Sequence, residues 1–165
     1  MKIQKFEVDS IDYDDKFLKG YQSTEMTCRN FFLSITNYGN IESKKMIRMA
    51  CENIMERLAK LKDAVVEYEK QSDDNAKKTE GFVTILKDNI KTIIIVRGED
   101  YTIGQLVKIA MFELDPSIGL INTPSEHPLN RTILFNIKHP QPIEILLDAI
   151  VECIKNFDKI QKYFK

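Results

Sequence analysis

A strand–turn–helix motif occurs twice along this chain, and neither copy can bury its apolar face alone. Phe32-Leu33-Ser34-Ile35-Thr36 leads through Tyr38-Gly39-Asn40 into Ile41-Glu42 and a long helical pattern. Leu134-Phe135-Asn136-Ile137-Lys138 leads through Pro140-Gln141-Pro142 into Ile143-Glu144 and another. An offset of 102 positions, Ile137 against Ile35, also aligns Ile143 with Ile41, Glu144 with Glu42 and Cys153 with Cys51. The repeat implies two related half-units that pack against each other or against similar partners.

The first helical pattern covers about 41–69. Ile47, Ala50, Ile54, Leu58, Leu61, Val65 and Tyr68 recur every three or four residues, a narrow apolar stripe. Such a helix is roughly 40 Å long, so its far end is expected to project or meet a partner, or else to fray after Leu61. Residues 69–80 hold no apolar side chain beyond Ala76, which places a linker at 71–80. The expected organisation is therefore 1–70, with 1–27 unassigned beyond a candidate strand near Lys2–Val8, then the linker, then 81–165.

After the linker the period changes. Phe82–Leu86 and Thr92–Val96, joined by Lys87-Asp88-Asn89, form a hairpin signature. Gly98-Glu99-Asp100 ends it, and Thr102 is the expected N-cap of a helix bearing Ile103, Leu106, Val107, Ala110 and Leu114 on one face, widened by Ile109 and Phe112. Asp115-Pro116 stops that helix; a short strand at 118–122, a loop at 124–130 and a strand at 132–138 follow. The last helix starts near Pro142, with a main stripe from Ile143 to Phe164 and a second flank of Ile145, Ala149 and Cys153. Two apolar flanks require cover on two sides. Strand, strand, helix, strand, strand, helix is an α+β, two-layer sheet-and-helix unit.

Composition and motifs argue against chemistry. With 24 basic and 25 acidic residues, net charge gives no electrostatic case for wrapping nucleic acid. No run is long and apolar enough to span a bilayer, and the opening Met1–Asp9 lacks a secretory h-region. Cys28, Cys51 and Cys153 fit no zinc, CxxC or disulfide pattern and read as reduced core cysteines. His127 and His139 each precede a proline and lack ligand-spaced partners, so no metal site is expected. Gly98 to Gly104 lacks the third glycine of a dinucleotide loop and the lysine of a P-loop, and its acids oppose phosphate. Asp12, Asp14 and Asp15 do not follow EF-hand spacing. No catalytic residue and no cofactor is expected.

Four markers in order carry a resemblance. Gly98-Glu99-Asp100-Tyr101-Thr102-Ile103-Gly104-Gln105-Leu106-Val107 follows the hairpin; Asp115-Pro116, His127-Pro128-Leu129 and Pro142-Ile143-Glu144 come after it. The stretch 81–164 thereby resembles the small alpha-like subunit of multisubunit RNA polymerases, the archaeal L subunit or the eleventh subunit of eukaryotic RNA polymerase II. Its family-motif positions here are Glu99, Asp100, Thr102, Gly104, Asp115, Pro116, His127, Pro128 and Leu129. The chain departs from the pattern with Tyr101 for the usual His, Gln105 for the usual Asn, and Ile118–Asn122 for an aromatic run. The first copy, Cys28 to about Glu67, resembles the closing strand and helix of the larger partner, the archaeal D subunit or the third subunit of RNA polymerase II. Larger partner followed by small partner on one chain resembles the fused subunits of some large DNA viruses. A small subunit with an unusual N-terminal extension is the other reading.

The resemblance implies an alpha-like dimerisation fold and a noncatalytic assembly role. The partners are other RNA polymerase subunits, including the two large catalytic ones, with nucleic acid met only through the complex and no membrane. It implies an intracellular location, nuclear or cytoplasmic, or a viral factory or virion. Leu106, Val107, Ala110, Ile150, Ile154 and Phe157 are the expected helical interface, with intradomain core as the alternative for the same residues. The competing function is a free-standing α+β dimerisation module outside any polymerase.

Overall fold

The computed structural model describes residues 2–7, 32–37, 39–70, 81–88, 90–124 and 131–164. The elements are β1 (Lys2–Glu7), β2 (Phe32–Asn37), α1 (Ser43–Lys70), β3 (Val83–Lys87), β4 (Thr92–Arg97), α2 (Tyr101–Leu114), β5 (Gly119–Pro124), β6 (Thr132–Lys138) and α3 (Pro142–Tyr163). Two compact units divide inside α1, Met1–Ile47 and Arg48–Lys165. The linker expected at 71–80 lies outside the described residues.

In the first unit β1 and β2 pair antiparallel, from Lys2 opposite Asn37 to Glu7 opposite Phe32. The second unit is mixed helix and antiparallel sheet, an α+β arrangement with strand order β3-β4-β6-β5. Strand alternation builds its inner face. On β4 Thr92, Ile94 and Val96 are buried while Ile93 and Ile95 are half-buried; on β6 Ile133, Phe135 and Ile137 are buried and Leu134 is half-buried. Register keeps these faces together, with Ile94 opposite Phe135 and Val96 opposite Ile133. Helices cover the buried face, and the other face stays partly open.

The core joins all three helices to that face. Leu58, Leu61 and Val65 of α1 meet Ile103, Val107 and Met111 of α2 and Leu146 and Ile150 of α3, all fully buried, around Phe135 and Ile137. Both flanks expected of α3 are used: Leu146 and Ile150 on one, Ile145, Ala149 and Cys153 on the other. The Cys153 thiol donates to the Leu106 carbonyl at 3.4 Å, which brings α3 close against the α2 backbone. Burial pushes that thiol up to about 11, so it is a protonated packing group at neutral pH rather than a nucleophile.

Three sequence expectations need correction. The C-terminal half of α1 neither projects nor frays: Leu61 and Val65 are fully buried, and the Tyr68 hydroxyl donates to the Ile85 carbonyl at 3.1 Å. The stripe begins at Cys51, while Ala50 is exposed with Arg48 and Met49. The α2 N-cap is Asp100, not Thr102. Asp100 has extended backbone, and its side chain accepts from the Thr102 backbone N–H at 3.0 Å, so Thr102 lies two residues inside, within the first turn. Gly98, at φ 84°, turns the chain out of β4 in a conformation that favours glycine.

Two stability measurements follow. Asp100→Ala should lose at least about 1 kcal/mol of unfolding free energy, whereas Thr102→Ala should stay within about 0.5 kcal/mol, both read by urea melts. Leu61→Ala should lose about 2–5 kcal/mol, because it opens a cavity in the core that α1 shares with the sheet. A loss below about 1 kcal/mol would mean that α1 is not part of that cooperative unit.

Candidate functional site

The polar centre of the second unit is the corner between β4 and α2. Gly98 ends the strand, and its backbone N–H donates to the Arg131 carbonyl, tying the corner to β6. Glu99 is carried inward, with a side chain only 5% exposed, and Asp100 caps the helix. Arg57 of α1 reaches both. Its Nε and Nη2 donate to Glu99 Oε2 at 2.9 and 2.6 Å, and Nη2 stands 2.9 Å from Asp100 Oδ2. Arg131 adds a longer contact to the same Asp100 oxygen, at 3.6 Å.

The charges of the corner support one another. Burial pushes the Asp100 carboxyl up, but the Arg57 guanidinium and the Ile103 and Thr102 backbone N–H groups outweigh it and hold the carboxyl below its ordinary value. The hydrogen bond to Glu99 raises the Arg57 guanidinium further, against the opposing effect of burial. Arg97 braces the strands beside the corner, donating from Nη1 to Thr84 Oγ1 at 2.7 Å and to the Gly81 carbonyl at 2.9 Å.

The far end of α2 carries a second polar joint. Asp115 Oδ1 accepts from the Ser117 hydroxyl at 2.6 Å and the Ser117 backbone N–H at 2.8 Å. Those two bonds, with help from His139, hold the Asp115 carboxyl below its ordinary value. His139 Nε2 lies 3.3 Å from Asp115 Oδ2, and its Nδ1 accepts from the Gln141 backbone N–H at 3.0 Å. Both ring nitrogens are thus engaged in joining the end of α2 to the start of α3.

A shallow cleft of about 440 Å³ lies beside this joint, lined by Lys87, Lys91, Thr92, Gln141 and Glu144 among others. His139 borders it, but its nitrogens face Asp115 and a backbone amide, and no nucleophile is paired with a base there. Among the described residues no group of three or more His, Cys, Asp or Glu is placed to hold a metal ion. No helix among them is long and apolar enough to cross a membrane.

The structure divides the expected interface residues. Val107 and Ile150 are fully buried and Ala110 nearly so, inside the chain's own core, which is the intradomain role the sequence left open. Leu106, Ile154 and Phe157 are only partly buried around that core. Glu99 and Asp100 meet at the corner, and Gly104 is buried on the inner side of α2. Pro116 is exposed next to Asp115. His127, Pro128 and Leu129 lie outside the described residues. Tyr101 and Gln105, the two α2 positions that depart from the family pattern, are hydrogen-bonded to each other.

Sequence reasoning missed Arg57, Arg97 and the engagement of His139. Arg57 sits 42 positions before Glu99 with no local cue beyond its place beside Ile54 and Leu58. One surface feature was half-visible: α2 carries only Lys108 and Glu113 as charges, its outward side leaves Tyr101 and Ile109 more than half exposed, and Leu114 is about half exposed where the helix ends.

Comparison with known proteins adds one relationship. The chain is similar to the DNA-directed RNA polymerase RPB3-11 homolog of African swine fever virus (strain Badajoz 1971 Vero-adapted), 21% identical over 173 aligned positions. The match covers 98% of this chain but 46% of the viral protein, so the chain spans less than half of its relative's length. This similarity supports a relationship to RNA polymerase subunits. No family model matches the chain.

The depressed carboxyls fix the direction of a pH effect. Asp100 and Asp115 titrate lower when folded, so they contribute stability above the ordinary carboxylate range, and it is lost as pH falls through their folded values. The melting temperature should therefore drop on acidification below about pH 4, and Asp100→Asn should flatten that drop. Parallel acid profiles for the two proteins would remove Asp100 from the account.

Proposed function

We propose that this chain is a noncatalytic assembly subunit of a DNA-dependent RNA polymerase, contributing an alpha-like platform on which the two large catalytic subunits assemble. The observation that carries the reading is the similarity along nearly the whole chain to a viral protein whose name joins the third- and eleventh-subunit types. The internal repeat supports it, because it assigns one copy of the motif to each type. In this reading 1–70 supplies the closing strand and helix of a larger-partner half, and 81–165 supplies the small alpha-like domain.

The surface supports the same role. A helix with two charges in 14 residues is unusually apolar for one with a solvent-facing side. Its exposed Tyr101, Ile109 and Leu114, with the partly buried Leu106, Ile154 and Phe157, are the residues we assign to contacts with other polymerase subunits. Contact with nucleic acid would then come only through the complex, and the site of action would be wherever that polymerase works: nucleus, cytoplasm, viral factory or virion.

Affinity purification of the tagged native protein at moderate salt, followed by mass spectrometry, tests the proposal. Two large polymerase chains should co-purify in stoichiometric amounts, and Ile109→Glu should reduce their recovery while leaving the melting temperature within a few degrees. Recovery solely as a homodimer or monomer would reject the platform in favour of a free-standing dimerisation module.

A further inference from the structure

We infer that the acidic corner formed by Glu99 and Asp100 is a guanidinium socket, and that Arg57 in it selects the register of α1 on the rest of the second unit. The polymerase reading is not needed for this.

The apolar contacts of α1 leave its register open. Ile54, Leu58, Leu61, Val65 and Tyr68 are spaced four, three, four and three. A helix with that spacing, moved by one turn of about 5.4 Å, again lays apolar side chains on apolar side chains. The Arg57 contact is different in kind. Glu99 is a carboxylate with a side chain 5% exposed, and it accepts two donors from one guanidinium. Moving α1 by a turn one way brings Asn53 or Ile54 opposite it, so the buried charge loses its cation. Moving it the other way brings Lys60 or Leu61: Leu61 carries no charge, and the Lys60 ammonium is a point charge without the planar fork that spans Glu99 and Asp100 together. In the observed register Lys60 lies over the Phe82 ring, 4.5 Å from its centre. A buried ion pair of this kind adds little net stability over an apolar pair of the same size, but a wrong alignment leaves it broken. Asp100 also caps α2, so the socket links the placement of α1 to the start of α2.

The test uses two native thiols as reporters. Cys51 on α1 and Cys153 on α3 are both buried, so thiol reagents reach them when the helix layer opens. With Cys28 replaced by serine, Arg57→Met should speed labelling of both by at least about tenfold, since it strands the Glu99 carboxylate. Arg57→Lys should fall between Arg57→Met and the parent. The double variant Arg57→Met/Glu99→Met separates register from stability. It should fold and melt close to the parent, yet its α1 amides should show several sets of resonances, or one shifted set. Labelling of Arg57→Met at the parent rate would overturn the proposal. So would a double variant that keeps the parent's single set of α1 resonances. A double variant that fails to fold would overturn it as well, because the pair would then supply stability rather than register.

Discussion

The structure depends on covering one face of one sheet. Ile94, Val96, Ile133, Phe135 and Ile137 present a continuous apolar surface that a four-stranded antiparallel sheet cannot leave in water. α3 contributes Leu146 and Ile150 to the core that covers it, and its second flank packs against α2. Cys153 and Ala149 flank the main stripe, and the Cys153 bond to the Leu106 carbonyl shows how closely α2 approaches. α1 adds Leu58, Leu61 and Val65 to the same core. Once three helices share one apolar layer, polar joints at its edges can set their alignment: Arg57 with Glu99 and Asp100 at one end of α2, His139 with Asp115 at the other.

How much of this the sequence carries depends on the range of the interaction. Strand β6 and helix α3 were legible because their signals are local: strict alternation from Thr132 to Lys138, a proline in the first helical turn, and two apolar flanks. The α2 cap was misread by two residues because Asp100 and Thr102 are both good caps, and only the extended backbone of Asp100 separates them. Periodicity drew the α1 stripe but not which end of the helix is covered, since spacing repeats identically at both ends. The Arg57 socket was invisible for a stronger reason. It joins residues 42 positions apart, and nothing in the local pattern distinguishes a buried glutamate at a turn from a solvated one.

The split fate of the expected interface has the same origin. Val107, Ala110 and Ile150 follow the same helical spacing as Leu106, Ile154 and Phe157, and periodicity cannot say where intradomain packing stops. Burial can: a side chain with no exposed surface has none left to give a partner. The first three are therefore committed to the core, and only the second three retain surface for another chain. Expecting one interface from all six treated buried and partly exposed positions on the same helices alike.

That distinction also bears on why α2 is so apolar a helix. If α2 served only the sheet, its outer side would be free to carry charge, as the outer side of α3 does with Lys155, Asp158, Lys159 and Lys162. Instead Tyr101 and Ile109 remain there, with Lys108 and Glu113 as the helix's only charges, and Leu114 is left about half exposed at its end. Leaving large apolar groups in water adds no stability and raises the tendency to associate. Scattered single residues need no such explanation, but Tyr101 and Ile109 lie on one short helix whose inner side is already filled. An outer side of this composition suits a helix that another chain covers, which is the physical basis of the proposed contact with other subunits.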